Sequence, residues 1–210
     1  MLETISDIGI SEVVDGAIVR ELHQASMLWS EEPVVVFVVR RPGCPYCRED
    51  AQELASRFGT VAESKGGSGA IKLVGIIKEV EADPEGVVEF QKQYFNNNAL
   101  YIDMKKEFYQ ALGNKSLLAQ PLHSWNPFTL YKVFKKLMGR MREKNIEGNL
   151  IGEGKIKGGL YVISPKDGVV YTHDELTGTE MPYAEIAAVV AKLLGKEAPD
   201  WPVRDRGRGG

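Results

Sequence analysis

The sequence predicts an α/β protein with a mixed central sheet flanked by helices. Two short, mostly apolar segments, 34–39 (VVVFVV) and 71–77 (IKLVGII), are typical of buried strands. Each is followed by a segment with helical signals. Later, the turn sequence SPKDG at 164–168 separates two apolar stretches and predicts a β-hairpin. The first half therefore requires parallel strands with right-handed crossovers, and the hairpin adds antiparallel strands.

The first half of the chain alternates strands and helices. After an N-terminal segment, 1–32, in which we expect a short hairpin around 17–22, the predicted elements are a strand at 34–39, a helix at about 44–64, a strand at 71–77, a helix at about 84–94, a strand at 100–102 and a short helix within 103–113. The start of the second helix is well marked, because Asp83 is a favoured N-cap residue and Pro84 suits the first helical position.

The second half contains an insertion, a hairpin and a last helix. The expected segments are an irregular insertion at about 114–158 with a basic amphipathic helix at 130–142, hairpin strands at 159–163 and 169–171, a helix from 181 to about 194, and a flexible tail at 198–210. This order predicts one domain over 1–197, of thioredoxin-like fold with a helical insertion.

Composition narrows the class of protein. A chain of 210 residues with 43% hydrophobic residues can bury a core without disulfide staples. A net charge of −3 gives no reason to expect a nucleic-acid partner. No apolar stretch approaches the roughly 18 to 20 residues of a membrane span, and the acidic N-terminus does not resemble a secretory signal. We therefore expect a cytoplasmic location.

The sequence Cys44-Pro45-Tyr46-Cys47 contains the only two cysteines of the chain. It lies where the first buried strand passes into the first helix, so free backbone N–H groups and the helix dipole would stabilise a thiolate. In a reducing compartment a lone CxxC is redox-active or metal-binding more often than a structural staple. A zinc site needs about four ligands, and the only histidines are His23, His123 and His173. We expect no metal and no bound cofactor.

Four segments, in the same order, resemble the peroxiredoxin-like 2 proteins, the AhpC/TSA-type or selenoprotein-U-like branch of the thioredoxin superfamily. They are RRPGCPYCRE at 40–49, LVGIIKE at 73–79, LYIDMKKEFYQAL at 100–112 and NLIGEGKIKGGLYV at 149–162. The resemblance covers roughly residues 30–195. It implies a thioredoxin-like fold, cytosolic thiol oxidoreductase or antioxidant activity, and reduction by thioredoxin or a similar donor. One similar branch reduces a prostaglandin endoperoxide with electrons derived from NADPH.

The chain departs from the wider superfamily at two places. A typical peroxiredoxin has a Thr shortly before its peroxidatic cysteine, whereas this chain has Arg40-Arg41-Pro42-Gly43. A thioredoxin has a cis-Pro before the strand that faces its cysteines, and here that place is assigned to Gly158-Gly159. Neither parent mechanism can be transferred unchanged.

The helix start assigns different roles to the two cysteines. Cys44, at the N-cap and closer to solvent, is expected to be the nucleophile, and Cys47, one turn later, the resolving thiol. Arg40, Arg41 and Arg48 could lower the thiol pKa or hold an anionic substrate group. For Arg41 and Arg48, solvation or ion pairing is an equal alternative. The residues assigned to substrate binding or thiolate stabilisation are Arg41, Arg48, Pro42, Gly43 and Lys78.

These observations predict a thiol-disulfide oxidoreductase that reduces peroxides with thioredoxin-type donors and NADPH. One alternative is a prostaglandin-endoperoxide or lipid-peroxide reductase, which a large apolar pocket beside Cys44 would favour, with Trp125 and Phe128 as part of an apolar wall. Another is a non-catalytic binding protein whose CxxC state controls a partner through the 114–146 region. The two cysteines could also be ordinary core residues.

Overall fold

The computed structural model describes residues 5–58, 71–116, 135, 139–175 and 180–197. Within them, a mixed eight-stranded sheet has the order β2-β1-β6-β5-β4-β7-β8, and β3 pairs with β1. The strands are β1 (Gly9–Val14), β2 (Ala17–Ile18), β3 (His23–Gln24), β4 (Val34–Val38), β5 (Lys72–Ile77), β6 (Ala99–Ile102), β7 (Gly159–Ser164) and β8 (Gly168–Asp174).

Helices cover both faces of this sheet. They are α1 (Pro45–Arg57), α2 (Pro84–Glu89), α3 (Glu107–Ala111) and α4 (Tyr183–Leu193), with a 3₁₀ turn at Ala25–Trp29 and a π-helical turn at Phe90–Tyr94. The alternating side chains of β4 divide the core: Val35 and Phe37 pack in a cluster with residues of α1, α2 and α4, whereas Val34 and Val36 pack with α3 and the 3₁₀ turn. All five residues of β4 are buried, which explains its continuous apolar sequence.

The predicted fold class is confirmed. β4, β5 and β6 are parallel, and β7 and β8 add antiparallel strands at the β4 side. The backbone N–H of Gly86 donates to the Asp83 carboxylate at 3.0 Å, as expected of an N-cap. The second predicted helix is α-helical to Glu89 and continues as the π turn to Tyr94.

The N-terminal prediction is wrong in one respect, because β1 is a full member of the central sheet. It pairs antiparallel with β6, with Ser11 opposite Ile102 and Val13 opposite Leu100. Asp15 and Gly16, at φ 47° and 74°, form the turn into β2. Asp-Gly is a strong hairpin signal, so the hairpin could have been placed correctly from sequence. The pairing with β6 could not, since Ser11 and Ile102 lie 91 positions apart in the chain (102 − 11).

Several predictions fall outside the described residues. These are the end of the first helix beyond Phe58, most of the 130–142 helix, the side chains of His123, Trp125 and Phe128, and the tail at 198–210. Of the insertion, the described part is helical at 139–143. The domain limits remain predictions. None of the helices in the described ranges is long and apolar enough to cross a membrane.

Candidate active site

The junction between β4 and α1 positions both cysteines. Cys44 occupies the N-cap of α1 in an extended conformation, with φ −73° and ψ 125°. Its backbone N–H donates to the carbonyl of Arg41 at 3.0 Å, and its own carbonyl accepts from Arg48 at 3.0 Å. Cys47 follows in the first turn of the helix. The two side chains therefore meet at the positive end of the helix dipole.

Both sulfurs are buried, which corrects the expectation that Cys44 lies closer to solvent. Cys44 is 2% exposed and Cys47 3%. Residues 146–157, which we call the cover segment, pass over the motif. The backbone N–H of Asn149 donates to the carbonyl of Gly43 at 2.7 Å. Gly148 packs so closely on Pro45 that a Cβ there would lie 2.5 Å from its ring.

The same packing explains why position 43 is a glycine. A Cβ at Gly43 would lie 2.0 Å from the side-chain oxygen of Asn149. That amide also donates to the Asp83 carboxylate at 2.9 Å, and its oxygen accepts from the backbone N–H of Ile151 at 3.0 Å. Gly43 therefore provides the space in which the cover segment docks.

Charged side chains at the ends of β4 and β5 hold the rest of the cover segment. Arg41 donates to the carbonyl of Leu150 at 3.1 Å. Lys78 pairs with Glu153 at 2.5 Å and donates to the carbonyl of Ile156 at 3.0 Å. Both Arg41 and Lys78 thus contact the cover segment, and Arg41 also lines a small cleft beside Pro42 and Gly43. Burial lowers the pKa of Lys78, and the charge of Glu153 opposes that shift.

Arg40 is the cation at the thiol. Its guanidinium Nη2 lies 2.8 Å from the sulfur of Cys44, and the residue is 6% exposed. The Cys44 pKa is held well below its usual range, first because the Cys47 thiol donates a hydrogen bond to it and then because Arg40 is close, against the opposing effect of burial. The pKa of Cys47 is raised well above its usual range by that same bond and by burial. The geometry favours a Cys44 thiolate beside a Cys47 thiol.

Arg40 also contacts an acidic residue. Its Nη1 lies 3.2 Å from Oε1 of Glu175, and Oε2 of Glu175 accepts from the backbone N–H of Gly158 at 3.1 Å. Burial raises the pKa of Glu175, and Arg40 opposes that effect. The cation is therefore shared between a sulfur and a carboxylate.

Arg48 lies in a buried ion pair instead of beside the thiol. It is 1% exposed and donates to Glu89 at 2.6 Å and to the Pro42 carbonyl at 3.0 Å. Its guanidinium also stacks on Tyr94, 4.6 Å from the ring centroid. Arg48 thus connects the turn before the motif to α2, which agrees with the ion-pair alternative rather than with thiolate stabilisation.

A comparison with known families places the chain in one of them. Residues 53–176 match the model of the AhpC/TSA antioxidant enzymes, which is more than half of the chain. The chain belongs to the AhpC/TSA antioxidant family. The matched region begins six residues after Cys47 and runs from the second half of α1 to the end of β8. This match therefore does not include the motif itself.

Individual relatives agree with this assignment and confirm the resemblance found in the sequence. The chain is 32% identical to a prostamide/prostaglandin F synthase of Salmo salar, over 83% of this chain and 82% of that protein. It is 34% identical to peroxiredoxin-like 2A of Xenopus laevis, over 73% of this chain and 61% of that protein. Peroxiredoxin Q of Xanthomonas campestris shares the fold, with a TM-score of 0.52 at 12% identity over 92% of this chain and 93% of that one.

Within this family, the structure shows what stands at the two departures noted in the sequence. In the segment 40–43, where a typical peroxiredoxin has its Thr, Arg40 donates a hydrogen bond to the Cys44 sulfur at 2.8 Å, whereas Arg41, three residues before Cys44, donates to the Leu150 carbonyl. At the position assigned to the thioredoxin cis-Pro, Gly158 lies against the end of β4. A Cβ on Gly158 would come within 2.0 Å of the Val38 carbonyl oxygen, so no other residue fits without a shift of the backbone.

Sequence reasoning missed Glu175 and Asn149 and did not single out Arg40. Arg40 could have been preferred, because it is the first charged residue after the buried strand. Glu175 and Asn149 carry no such signal: they lie 131 and 105 positions after Cys44 (175 − 44 and 149 − 44). Across the described ranges, no three or more His, Cys, Asp or Glu side chains are grouped so that they could hold a metal ion.

Proposed function

We propose that this protein is a thiol-dependent antioxidant oxidoreductase, with Cys44 as the nucleophile and Cys47 as the resolving thiol. The observation that carries the proposal is the 2.8 Å contact between the Arg40 guanidinium and the Cys44 sulfur. A guanidinium at this distance favours the thiolate, and the thiolate is the nucleophilic form of cysteine.

The proposed cycle has three steps. The Cys44 thiolate attacks one oxygen of a peroxide, the O–O bond breaks, and the leaving alkoxide takes a proton, which gives a Cys44 sulfenic acid and an alcohol. The Cys47 thiol then attacks the Cys44 sulfur, so that a disulfide forms and water leaves. An external dithiol of the thioredoxin type, supplied with electrons from NADPH, reduces the disulfide by exchange.

Burial adds a requirement to this cycle. Since both cysteines are at most 3% exposed, a substrate reaches Cys44 only when neighbouring residues shift, and we infer that the cover segment, which contacts Gly43 and Pro45, is the part that moves. The contacts that hold this segment are polar, including Asn149–Asp83 at 2.9 Å and Arg41–Leu150 at 3.1 Å. Such hydrogen bonds contribute about 0.5–1.5 kcal/mol each, so that local opening is affordable within the stability of a folded domain.

A second candidate is a prostaglandin-endoperoxide or lipid-peroxide reductase, which the relationship to the Salmo salar synthase favours. The cleft that the described residues form next to Pro42 and Gly43 is small and partly lined by the charged residues Arg41, Glu79 and Asp83. A lipid would need more apolar surface than this cleft offers, so we place small peroxides first.

The test is NADPH consumption with thioredoxin, thioredoxin reductase and hydrogen peroxide. We expect consumption with the wild-type protein and none with Cys44→Ser. Cys47→Ser should undergo one oxidation and then stop. Full activity of Cys44→Ser would refute the role assignment. Replacing hydrogen peroxide with a prostaglandin endoperoxide or a lipid hydroperoxide separates the two candidate functions. No consumption with any of these, despite a reducible disulfide, would instead favour a redox-controlled binding protein.

A further inference from the structure

Arg40 is a single buried cation between two groups that can be anionic. One end of its guanidinium lies 2.8 Å from the Cys44 sulfur, and the other lies 3.2 Å from the Glu175 carboxylate. Its side chain is 7% exposed and that of Glu175 is 18% exposed, so water does little to screen these charges. When Cys44 is a thiolate, two anions share the one positive charge of Arg40. When Cys44 is bonded to Cys47, Glu175 is the one of these two groups that still carries a negative charge.

Two other cations lie near this site, but neither replaces Arg40 beside the Cys44 sulfur. Lys157 precedes Gly158 and is the additional cation that acts on Glu175. Lys78, at the end of β5, acts on Cys47 but is paired with Glu153 at 2.5 Å. Cys44 thus depends on Arg40 as its close cationic partner among the described residues, and Arg40 has two anions to satisfy.

We propose that Glu175 is the alternative counter-ion of Arg40 and thereby lowers the reduction potential of the Cys44–Cys47 pair. In the disulfide, Cys44 carries no charge, and Glu175 alone neutralises the buried Arg40. In the reduced pair, Glu175 competes with the Cys44 thiolate for the same guanidinium. It therefore stabilises the oxidised state more than the reduced state. This inference rests on the proposed disulfide cycle and adds the residue that tunes it.

The physical reason is the high cost of an unpaired buried charge. Without a carboxylate at position 175, the disulfide form would leave the Arg40 guanidinium without an anion at hydrogen-bond distance, which is strongly unfavourable. The reduced form would still provide the Cys44 thiolate. Removing the carboxylate should therefore favour reduction and ionisation of Cys44. The coupling is reciprocal: beyond the larger effect of burial, the charge of Cys44 contributes to raising the pKa of Glu175.

The backbone keeps Glu175 in position for this role. Its Oε2 accepts from the N–H of Gly158 at 3.1 Å, and its own backbone N–H donates to the Gly158 carbonyl at 3.1 Å. Glu175→Gln removes the charge with little change in size. At present Oε1 faces Arg40 and Oε2 accepts from Gly158. In the same side-chain position the glutamine oxygen replaces one of these two acceptors, and its NH₂ group, which only donates, faces the other donor.

The test compares the thiol-disulfide equilibrium of the wild type, Glu175→Gln and Glu175→Asp against dithiothreitol. In this exchange the Cys44–Cys47 disulfide takes two electrons from dithiothreitol, whose own disulfide forms, and gives a Cys44 thiolate, a Cys47 thiol and one released proton. We expect Glu175→Gln to shift the equilibrium about tenfold toward the dithiol, the size of one charge-assisted hydrogen bond, or about 30 mV to a less negative potential. Glu175→Asp, which keeps the charge, should shift it less.

The direction of the Cys44 pKa separates this role from simple positioning of Arg40. We would measure it from the pH dependence of Cys44 alkylation by iodoacetamide. Our inference predicts that the pKa falls in Glu175→Gln and rises in Arg40→Met. If Glu175 only held Arg40 in place, both variants would raise it. A rise in Glu175→Gln, or no change in either measurement, would overturn the inference.

A measurement on the wild type keeps the test valid if Glu175→Gln does not fold. Carboxyl NMR would give the pKa of Glu175 in the reduced and disulfide forms, and we expect a higher value in the reduced form. Equal values would refute the coupling. A wild-type protein that forms no Cys44–Cys47 disulfide under oxidants would refute the proposed cycle, whereas a disulfide whose equilibrium Glu175→Gln does not shift would refute this inference alone.

Discussion

The guanidinium of Arg40 lies 2.8 Å from the sulfur of Cys44 in a buried site at the end of the first parallel strand. The backbone before Arg40 is held firmly, because the N–H of Val39 donates to the carbonyl of Ile76 at 2.8 Å and the hydroxyl of Tyr109 donates to the carbonyl of Val39 at 2.8 Å. The position of the cation is therefore set by the sheet and by α3, whereas the position of the sulfur is set by α1.

Replacing Arg40 with Met should make the reactivity of Cys44 more dependent on pH. Loss of a charge-assisted hydrogen bond removes about 1.5–3 kcal/mol of thiolate stabilisation, or roughly tenfold to a hundredfold in thiolate population. We expect alkylation and peroxide turnover at pH 7 to fall by about that factor and to recover at high pH. Arg41→Met is the matched control for the pH profile, since Arg41 contacts Leu150 in the cover segment and not the sulfur. Its alkylation rate should rise as the segment loosens, but the pH at which Cys44 ionises should not move. An unchanged pH profile in Arg40→Met would contradict the assigned contact.

Removing the side chain of Asn149 should loosen the cover segment. Asn149→Ala loses the bonds to Asp83 at 2.9 Å and to Ile151 at 3.0 Å. We expect a loss of about 1–2 kcal/mol in stability and a rate of Cys44 alkylation about tenfold higher. Asn98→Ala is the control, because its amide donates to the Phe95 carbonyl just before β6 begins, at the edge of the sheet opposite to Cys44. Equal alkylation rates in the two variants would show that the segment does not limit access.

A methyl group at position 158 should disrupt the site and the sheet. The Cβ of Gly158→Ala would lie 2.0 Å from the Val38 carbonyl oxygen and 2.9 Å from the backbone nitrogen of Arg40. We expect a destabilisation of about 3 kcal/mol, measured by urea unfolding. Gly139→Ala provides the contrast, since, apart from its own helix, none of the described residues lies within 4 Å of its new Cβ. In a helix, that change should be neutral or stabilising by up to about 1 kcal/mol. Similar stabilities for the two variants would contradict this packing.

His173 on β8 should make the protein less stable in mild acid. Burial lowers its pKa from 6.5, while Asp174 and Glu185 partly offset that shift. In the unfolded chain the imidazole takes a proton as the pH falls through 6.5, but in the folded chain it resists until a lower pH, so the unfolded state binds more protons in this window. Stability is therefore lost as the pH falls. Melting temperatures between pH 7.5 and 5 should vary less in His173→Gln than in the wild type and in the control His23→Gln. An equal slope in all three would refute this role.

Local sequence patterns were sufficient for most of the architecture. The continuous apolar residues of β4 and β5, the Asp83-Pro84 helix start and the SPKDG hairpin are each recognisable within a short stretch of sequence, and each is present in the structure. The strand β1 was missed, because its pairing with β6 depends on a partner that no local pattern specifies.

By itself, the sequence determined that two cysteines stand one turn apart at the start of a helix that follows a buried strand, since both the strand and the helix start are specified by local residues. Only the tertiary structure decided that Arg40, and not Arg41 or Arg48, contacts the sulfur, that Glu175 shares this cation, and that both thiols are covered. The reason is physical. Arg40 and Cys44 are only four positions apart, but which of three nearby arginines meets the sulfur depends on how the sheet and α1 pack together. The contacts of Glu175 with Arg40 and of Asn149 with Gly43 join residues more than a hundred positions apart, so no local pattern specifies them.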